Sequence, residues 1–564
     1  MSKVIGIDLG TSTSEAAVFI DGKPVMIPNE AGEFILPSVV GIGEDGSVVV
    51  GNQAADQALL RPEDTITEVK RKMGLQEKVK LGEKEYSPAW VSSQILSHIR
   101  EYASKYLKED ITRAVITVPA YFNEQQRKAT VEAGTIAGFY VERIINEPTA
   151  AALCYGIDHM EEENHILIYD LGGGTFDVTL LEMFDGVLEV KASSGDNQLG
   201  GSDFDRRLMD YLIGEFQKKE GIDLSKDIYA MVKLKEAAQT CKIALSTKPS
   251  FKVVIPFIAK KEGMPVSLQE TITVQIFEDL IHDLIERTKH PIEVVLEDGN
   301  ITPDKLDFII LVGGSTRIPY VKRYINEFLH KEPVEVIDPD LSVALGAAVQ
   351  AGILNDEISQ EEGILLTDVN PYALGVRTSI DMDGFLYDDN MEILIPRNMT
   401  IPTTKSKIFT TSVDDQTEAI IEVYQGDSEE ASSNNFLGSF LMKGIPRAKA
   451  HKEKIDVQFS YDMNGMLQVE GTIVSTGEKS SIVIDMAGND KMDVSNWREA
   501  RHAIKFRSVI RKGEKMLEKD LEDDDRQDLK DLVYELKKAL ILENDEDYLM
   551  ELEDELLDII EDLD

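Results

Sequence analysis

Several residue types that mark particular protein classes are scarce in this chain. Its 564 residues include only two cysteines, Cys154 and Cys241, whose separation suits neither a metal-ligand pair nor a disulfide framework. We therefore interpret both as buried, reduced thiols. The sequence contains no run of 18 apolar residues and opens directly on a strand pattern without a signal-peptide pattern. These absences predict a cytoplasmic protein without a membrane partner.

Basic residues are scarce relative to acidic ones. Lysine and arginine total 59 against 103 aspartates and glutamates, which gives a formal net charge of −44. A charge of this sign disfavours nucleic acid and anionic membrane as partners, although local glycines, a lysine and a metal ion can still admit a nucleotide. The chain is also too long for one hydrophobic core, so we expect several domains.

Two common phosphate-binding patterns are missing as well. The sequence has neither a P-loop, with its lysine and hydroxyl residue after a glycine loop, nor a Gly-x-Gly-x-x-Gly turn that leads from a strand into a helix, as the Rossmann fingerprint requires. Any nucleotide site in this chain must therefore belong to another fold.

One sequence motif, in contrast, occurs twice in the chain. Residues 4–11 and residues 166–175 each consist of an apolar, β-rich run, an aspartate, glycines and a hydroxyl residue. This pattern indicates a strand that runs into a tight turn, and the glycines let a phosphate approach the backbone closely. The repetition predicts two related lobes with a nucleotide in the cleft between them.

The polar residues of the repeated motif suit a metal–polyphosphate ligand. Asp8 and Asp170 stand at the strand ends, where a carboxylate can hold a hydrated divalent cation. Thr11 and Thr175 can donate hydrogen bonds to phosphate oxygens. One copy alone would be an ordinary strand and turn, and only the duplication favours a phosphate site.

Two further motifs lie between and after the copies. Residues 311–319 form a third strand and turn, in which Gly313 and Gly314 can approach a nucleoside and Arg317 can stack on a base or contact a phosphate. Glu147, next to Pro148, is a carboxylate held at a helix start.

The chain changes character along its length. Strands alternate with helical segments up to about residue 355, which is typical of an α/β region. An acidic stretch with an apolar centre follows, then short alternating strands over residues 370–486, then a helical pattern to the end.

These four motifs, with residues 115–122, 199–205 and 344–349, resemble the DnaK-type 70-kDa heat-shock chaperone family. Shorter runs, such as residues 364–369 and 459–462, are most similar to the HscC type of bacterial cognate chaperone. The resemblance implies a multidomain chain. We expect an actin-like α/β ATPase domain of two lobes over residues 1–362, a linker over 363–370, an all-β sandwich that binds peptide over 371–490, and a short helical lid over 491–564.

The resemblance implies roles for individual residues of the nucleotide domain. Lys70 would reach the γ-phosphate and the attacking water, and Glu147 would order the water or the metal shell. The implied catalytic set is Asp8, Lys70, Glu147, Asp170, Thr175 and Asp177, with Asp8 and Asp170 holding Mg²⁺ through water. The implied nucleotide-binding set is Gly10, Thr11, Ser12, Thr13, Gly172, Gly173, Gly174, Thr175, Gln239, Lys242, Ser246, Gly313, Gly314, Ser315, Arg317 and Asp340. ATP or ADP, Mg²⁺ and a further K⁺ are the implied cofactors.

The second half of the chain has its own implied sites. The linker residues would be Ile364, Leu365, Leu366 and Asp368, and the peptide groove would use Leu374, Val376, Ser379, Phe409, Ser412, Ala419 and Ile421. The simpler interpretation of the groove set is ordinary β-sandwich core and loop.

Some residues depart from the family pattern. Gln239 stands where the family usually has a glutamate, and Ala419 where a valine is common. Ser379 and Ser412 replace the apolar residues expected to arch over a peptide. We therefore expect altered nucleotide affinity, a wider pocket and modest peptide affinity.

Four functions remain possible at this point. The first is an ATP-driven chaperone in stress response and protein folding, with extended or unfolded peptide as client, a J-domain co-chaperone and a possible exchange factor. A regulatory relative that binds one native partner is the alternative. A sugar or acid kinase and a filament-forming protein of the actin-like superfamily would share the phosphate motifs but need neither the linker nor the β-domain, so the chain beyond residue 363 favours a chaperone.

Overall fold

The computed structural model describes most of the chain. The described residues are 2–58, 60–75, 77–156, 163–184, 187–334, 338–355, 357–358, 365–382, 385–461, 466–485, 503–517 and 546–562, with residues 526, 529, 530, 532, 533, 536, 537, 539 and 540.

The first lobe is built on a mixed sheet. Its central strand, Val4–Leu9, pairs in parallel with Arg113–Val118 and antiparallel with Thr13–Ile20. The sheet is completed by Lys23–Met26, Ile35–Pro37 and Tyr140–Asn146. Around it lie the strands Val39–Ile42, Val48–Val50, Thr65–Thr67, Val79–Leu81 and Lys84–Tyr86, the helices Asn52–Ala58, Pro88–Leu107, Glu124–Ile136 and Glu147–Gly156, and the 3₁₀ turns Pro62–Asp64 and Val69–Lys72.

The second lobe repeats this plan. Asn164–Leu171 pairs antiparallel with Phe176–Phe184 and in parallel with Phe308–Val312, as the equivalent strands of the first lobe do. Val187–Asp196 continues the sheet on the far side of Phe176–Phe184. The lobe also holds the hairpin of Ser250–Lys261 with Met264–Thr273, the helices Gly201–Glu220, Ile228–Leu245, Val274–Glu286, Lys289–Asp298, Pro319–Leu329 and Ser342–Leu354, and the 3₁₀ turns Leu224–Lys226, Pro303–Lys305 and Gly314–Arg317.

Close backbone approaches join the two lobes. The helix Ser342–Leu354 crosses the helix Glu147–Gly156 at Gly346, where a Cβ atom would lie 1.6 Å from the Ala150 carbonyl oxygen. A Cβ on Gly6 would similarly lie 2.2 Å from the backbone nitrogen of Ala348, in the helix Ser342–Leu354. Only glycine permits such contacts, so these two positions set how deeply the lobes meet beneath the cleft.

The third region is a sandwich of two four-stranded antiparallel sheets. One sheet has the order Phe385–Ile395, Leu374–Met382, Glu418–Gln425 and Asn435–Lys443, and the other the order Thr403–Thr410, Lys454–Tyr461, Met466–Ile473 and Lys479–Asp485. Alternate side chains of both sheets, among them Val376, Val423, Val457 and Phe459, form one buried core. A 3₁₀ turn, Ala431–Ser433, precedes the edge strand Asn435–Lys443.

The chain ends in helices. Ala503–Met516 and Glu546–Asp562 pack on a small core of their own that buries Phe506, Leu549 and Leu556. These elements confirm the expected fold class, with a mixed α/β N-terminal region, a β-rich region and terminal helices. Within the described part of the chain, no helix combines the length and the apolar character needed to cross a membrane.

Candidate functional site

Two β-hairpins, one from each lobe, face each other at the candidate site. In the first, Asp8 stands opposite Glu15 across the strand pair, and in the second Asp170 stands opposite Asp177. The hairpin tips meet closely, because a Cβ on Gly173 would lie 2.2 Å from the Ser12 Oγ. The repeated motif therefore places its two phosphate-type turns on opposite walls of one cleft.

The cleft between the hairpins contains about 500 Å³ of space that no protein atom fills, open solvent included. Its lining brings together most of the residues that the sequence pointed to. The lining residues are Asp8, Gly10, Thr11, Ser12, Thr13, Glu15, Lys70, Glu147, Asp170, Gly172, Gly173, Thr175, Val312, Gly313, Gly314, Pro339, Asp340 and Val343.

A buried ion pair lies on the floor of this cleft. Lys70, in the 3₁₀ turn Val69–Lys72, donates a hydrogen bond from its Nζ to Glu147 Oε1, and both side chains are less than a tenth exposed. Burial alone would lower the pKa of Lys70, but Glu147, Asp8 and Asp170 together raise that pKa above its ordinary value. Lys70 is therefore held as a cation beside the turns, where it can stabilise negative charge that develops on a phosphate.

The carboxyl groups around the ion pair have raised pKa values, because their surroundings disfavour the charged form. Burial, and then the charge of Glu147, raises the pKa of Asp8 to about 7, and the same two causes raise the pKa of Asp177 to about 7. Burial also raises the pKa of Asp170 well above its ordinary value. A cation in the cleft would favour the charged forms of these groups.

Mg²⁺ fits this donor set. Asp8 and Asp170 line opposite walls of the cleft, and Mg²⁺ is commonly held by one or two carboxylates together with waters and substrate phosphates. The Thr117 hydroxyl donates to Asp8 Oδ1 over 2.8 Å, which orients this carboxylate while its second oxygen stays available.

Asp177 lies just behind the cleft lining. It is 1% exposed, and its Oδ1 accepts a hydrogen bond from the Tyr121 backbone N–H over 3.2 Å, while its Oδ2 has no hydrogen-bond partner. The side chain is thus held at one oxygen and unsatisfied at the other.

Several residues expected on the nucleoside side lie outside the lining. Lys242 donates to Asp205 over 2.8 Å and to the Gly201 carbonyl, and Ser315 donates to the Gly172 carbonyl over 2.8 Å. Arg317 forms ion pairs with Asp338 and Asp340, the second of which lines the cleft. The residues that the lining omits are Gly174, Asp177, Gln239, Lys242, Ser246, Ser315 and Arg317.

Gln239, Lys242 and Ser246 share one face of the helix Ile228–Leu245 and its C-terminal end, at spacings of three and four. Gln239 is exposed, and Ser246 donates only to the Lys242 carbonyl one turn earlier, over 3.4 Å. This face is connected to the cleft lining only indirectly. Lys242 donates to the Gly201 carbonyl, and the Gly201 backbone N–H donates to the carbonyl of Gly172, which lines the cleft.

Sequence reasoning missed four lining residues, which are Glu15, Val312, Pro339 and Val343. It also missed Arg71, which joins the lobes through hydrogen bonds to Asp203 and to the Gly174 carbonyl. Strand alternation could have found Glu15, because it lies opposite Asp8 in the first hairpin.

The seven predicted groove residues divide between core and surface. Leu374 and Val376 belong to the buried core of the sandwich, and Phe409, Ala419 and Ile421 are partly buried against that core. Ser379 and Ser412 are exposed, and among the described residues no hydrogen bond joins one to the other. Five of the seven residues therefore pack in or against the apolar core of the sandwich, and the two serines lie on its surface.

The linker forms a strand of the second lobe. Leu365–Val369 pairs in parallel with Val187–Asp196, and its end pairs antiparallel with Thr400–Ile401 of the β-rich region. Asp368 Oδ2 accepts a hydrogen bond from Asn146 Nδ2 over 3.0 Å. Ile364 lies outside the described residues.

Direct contacts also join the β-rich region to the lobes. The Tyr372 hydroxyl donates to the Tyr121 carbonyl over 2.7 Å, and Asn398 bridges the Ser193 backbone N–H and Asp298 at 2.9 Å and 2.7 Å. Tyr372, shortly after the linker, is thus bonded to Tyr121, whose backbone N–H donates to Asp177.

Known proteins match this chain along nearly its whole length. The family model described as "Hsp70 protein" matches residues 4–80 and 76–563. The chaperone protein DnaK of Thermotoga neapolitana is 46% identical over 540 residues, which cover 95% of this chain and 88% of that protein. The DnaK of Thermosipho melanesiensis is 44% identical over 543 residues, with the same two shares. The chain therefore belongs to the Hsp70 family of ATP-dependent molecular chaperones.

Proposed function

We propose that slow Mg-ATP hydrolysis in residues 1–362 controls how residues 371–490 bind and release extended peptide segments, through the linker of residues 363–370. The observation that carries this proposal is the strand Leu365–Val369. It extends the same sheet whose hairpin bears Asp170 and Asp177. Only the strand Val187–Asp196 lies between that hairpin and the linker strand, so a movement at the cleft can reach the linker through directly hydrogen-bonded strands.

The proposed chemistry assigns a role to each residue of the cleft floor. Lys70 orients the attacking water and stabilises the transferred phosphoryl group, while Glu147 holds Lys70 in place. Asp8 and Asp170 hold Mg²⁺ through water, and the turn residues Thr11 and Thr175 bind phosphate oxygens. When bound, Mg²⁺ would offset charge on the phosphates. K⁺ as an additional cofactor is supported by the excess of carboxylates over basic residues in the lining.

The proposed client is an extended, partly apolar peptide. Such a segment could pair its main chain with the sandwich and place one side chain near Phe409, Ala419 and Ile421. We propose residues 491–564 as a short lid and a J-domain protein as co-chaperone. The cytoplasm stays the predicted location.

Two finer interpretations receive no support. The relatives carry the DnaK name and match 95% of the chain, whereas the HscC-like runs are only a few residues long, so we do not propose the HscC subtype. The regulatory relative that binds one native partner is not favoured by these relatives either.

Two assays on the full chain test the proposal. Single-turnover hydrolysis of ATP should require Mg²⁺, and fluorescence anisotropy should show that ATP speeds the release of a labelled extended peptide. Hydrolysis without any effect of ATP on peptide release would leave an ATPase but refute the proposed control of peptide binding.

A further inference from the structure

Glu15 is a carboxylate of the cleft that the proposed chemistry does not use. In the first hairpin it lies directly opposite Asp8, so both side chains project from the same face of the sheet. Residues opposite each other in an antiparallel pair have Cβ atoms roughly 5 Å apart, so two carboxylates at such positions can reach one ion between them.

Glu15 is buried with one of its two carboxylate oxygens unpartnered. Its side chain lines the cleft, the residue is only 2% exposed, and its Oε1 has no hydrogen-bond partner. A buried charged group is costly unless it is paired or binds a metal, and like charges opposite each other across two strands are destabilising.

The neighbouring basic residues are already engaged. Lys70, which is the single basic residue among the described residues that line the cleft, is bonded to Glu147. Arg71 is paired with Asp203, and Arg317 with two aspartates. Among the described residues, the Asp8–Glu15 pair therefore has no protein cation bonded to it, because the ion pair of Lys70 is made with Glu147.

We propose that Glu15 binds a divalent cation of the Mg²⁺ class directly, with Asp8 as the second carboxylate, on the first-lobe side of the cleft. Two carboxylates match the charge of such an ion. No group of three or more His, Cys, Asp or Glu side chains among the described residues forms a ready-made metal cage. Two protein carboxylates completed by water or phosphate are the usual setting for Mg²⁺. The inference rests on the proposed function only in that the ion would lie beside the phosphates.

The test measures Mn²⁺ binding to the full chain without nucleotide, using the electron paramagnetic resonance signal of free Mn²⁺ after chelator treatment. We expect saturable binding that Mg²⁺ displaces. Glu15→Gln keeps the side-chain shape and removes the charge, so the Kd for Mn²⁺ should rise about tenfold or more, the scale of a disturbed metal site. Glu85→Gln, an exposed glutamate of the same lobe, is the matched control and should leave the Kd unchanged.

An unchanged Kd in Glu15→Gln, or a wild-type chain that binds no Mn²⁺, would overturn the inference. If Glu15→Gln does not fold, Glu15→Asp keeps the charge on a shorter side chain and should still weaken binding. The readout is independent of hydrolysis, so a chain that binds Mn²⁺ through Glu15 but does not hydrolyse ATP would refute the proposed function and leave the cation site intact.

Discussion

The nucleotide cleft and the proposed peptide groove of the β-rich region, called the groove below, present their candidate residues in opposite ways. In the cleft, Lys70, Glu147 and Asp170 are ionisable side chains less than a tenth exposed, and Lys70 is hydrogen-bonded to Glu147. In the groove, Ala419 is only partly buried and Ser412 is exposed. Removing one member of a buried charged network leaves its partner unpaired, whereas a rim residue has few partners to lose. Substitutions in the cleft should therefore have larger effects than substitutions in the groove.

The largest expected effect comes from Lys70→Ala. Loss of one charge-stabilising group should lower the single-turnover rate of ATP hydrolysis by roughly 100-fold or more, while nucleotide binding persists because the turns remain. Rapid-quench hydrolysis and a nucleotide titration measure the two properties. Lys72→Ala, an exposed lysine of the same 3₁₀ turn, is the control. A wild-type rate in Lys70→Ala would show that the buried pair is structural only.

The next effect concerns the groove. Ala419→Phe should fill the proposed pocket and weaken peptide binding by about tenfold or more, because overpacking excludes the peptide side chain. Hydrolysis without peptide should stay normal. Ile420→Phe is the matched control, since Ile420 is 64% exposed on the opposite face of the same strand. If Ala419→Phe binds peptide like the wild type, the client site lies elsewhere.

A smaller effect is expected where the two regions touch. Tyr372→Phe removes only the hydroxyl that donates to the Tyr121 carbonyl, and one lost hydrogen bond costs about 1 kcal/mol. Because Tyr121 also donates to Asp177, stimulation of hydrolysis by peptide should fall about fivefold. Comparing stimulated with unstimulated turnover separates coupling from chemistry. Tyr140→Phe, at an exposed tyrosine of the first lobe, should change neither rate, and full stimulation in Tyr372→Phe would exclude a role for this hydroxyl.

The smallest effect should come from Ser379 and Ser412, the two serines expected to lie over the peptide. Ser379→Met combined with Ser412→Ala would add apolar cover above the groove and slow peptide release by roughly threefold, on the scale of a modest gain in buried apolar area. Stopped-flow release of a labelled peptide gives this rate. Ser406→Met, at an exposed serine of the strand Thr403–Thr410, is the control. Unchanged release would mean that the two serines do not cover the peptide.

The cleft and the groove also differ in how far the sequence could predict them. The repeated aspartate–glycine motif places Asp8 and Asp170 without further information, because each motif is complete within one hairpin. Glu15 acts across the hairpin, and the Tyr372–Tyr121 contact joins residues that lie far apart in the chain. Such contacts depend on packing between elements, which local patterns do not contain.

The linker illustrates the same limit. The acidic stretch with its apolar centre predicted a linker over residues 363–370, but not that Leu365–Val369 becomes a strand beside Val187–Asp196. The exposure of Gln239 was equally unpredictable, since it depends on how the helix Ile228–Leu245 packs against the lobe.

The most direct test of coupling between cleft and groove replaces the two linker leucines. Coupling is reciprocal, so in the wild type peptide should raise ATP turnover and ATP should speed peptide release. Leu365→Asp with Leu366→Asp places two charges in the strand that joins the second-lobe sheet, and both effects should disappear while unstimulated hydrolysis remains. The control is Leu60→Asp with Leu75→Asp, two leucines that are 77% and 53% exposed. If stimulation and ATP-induced release survive unchanged in the linker variant, the linker is only a tether and the proposed control of peptide binding is wrong.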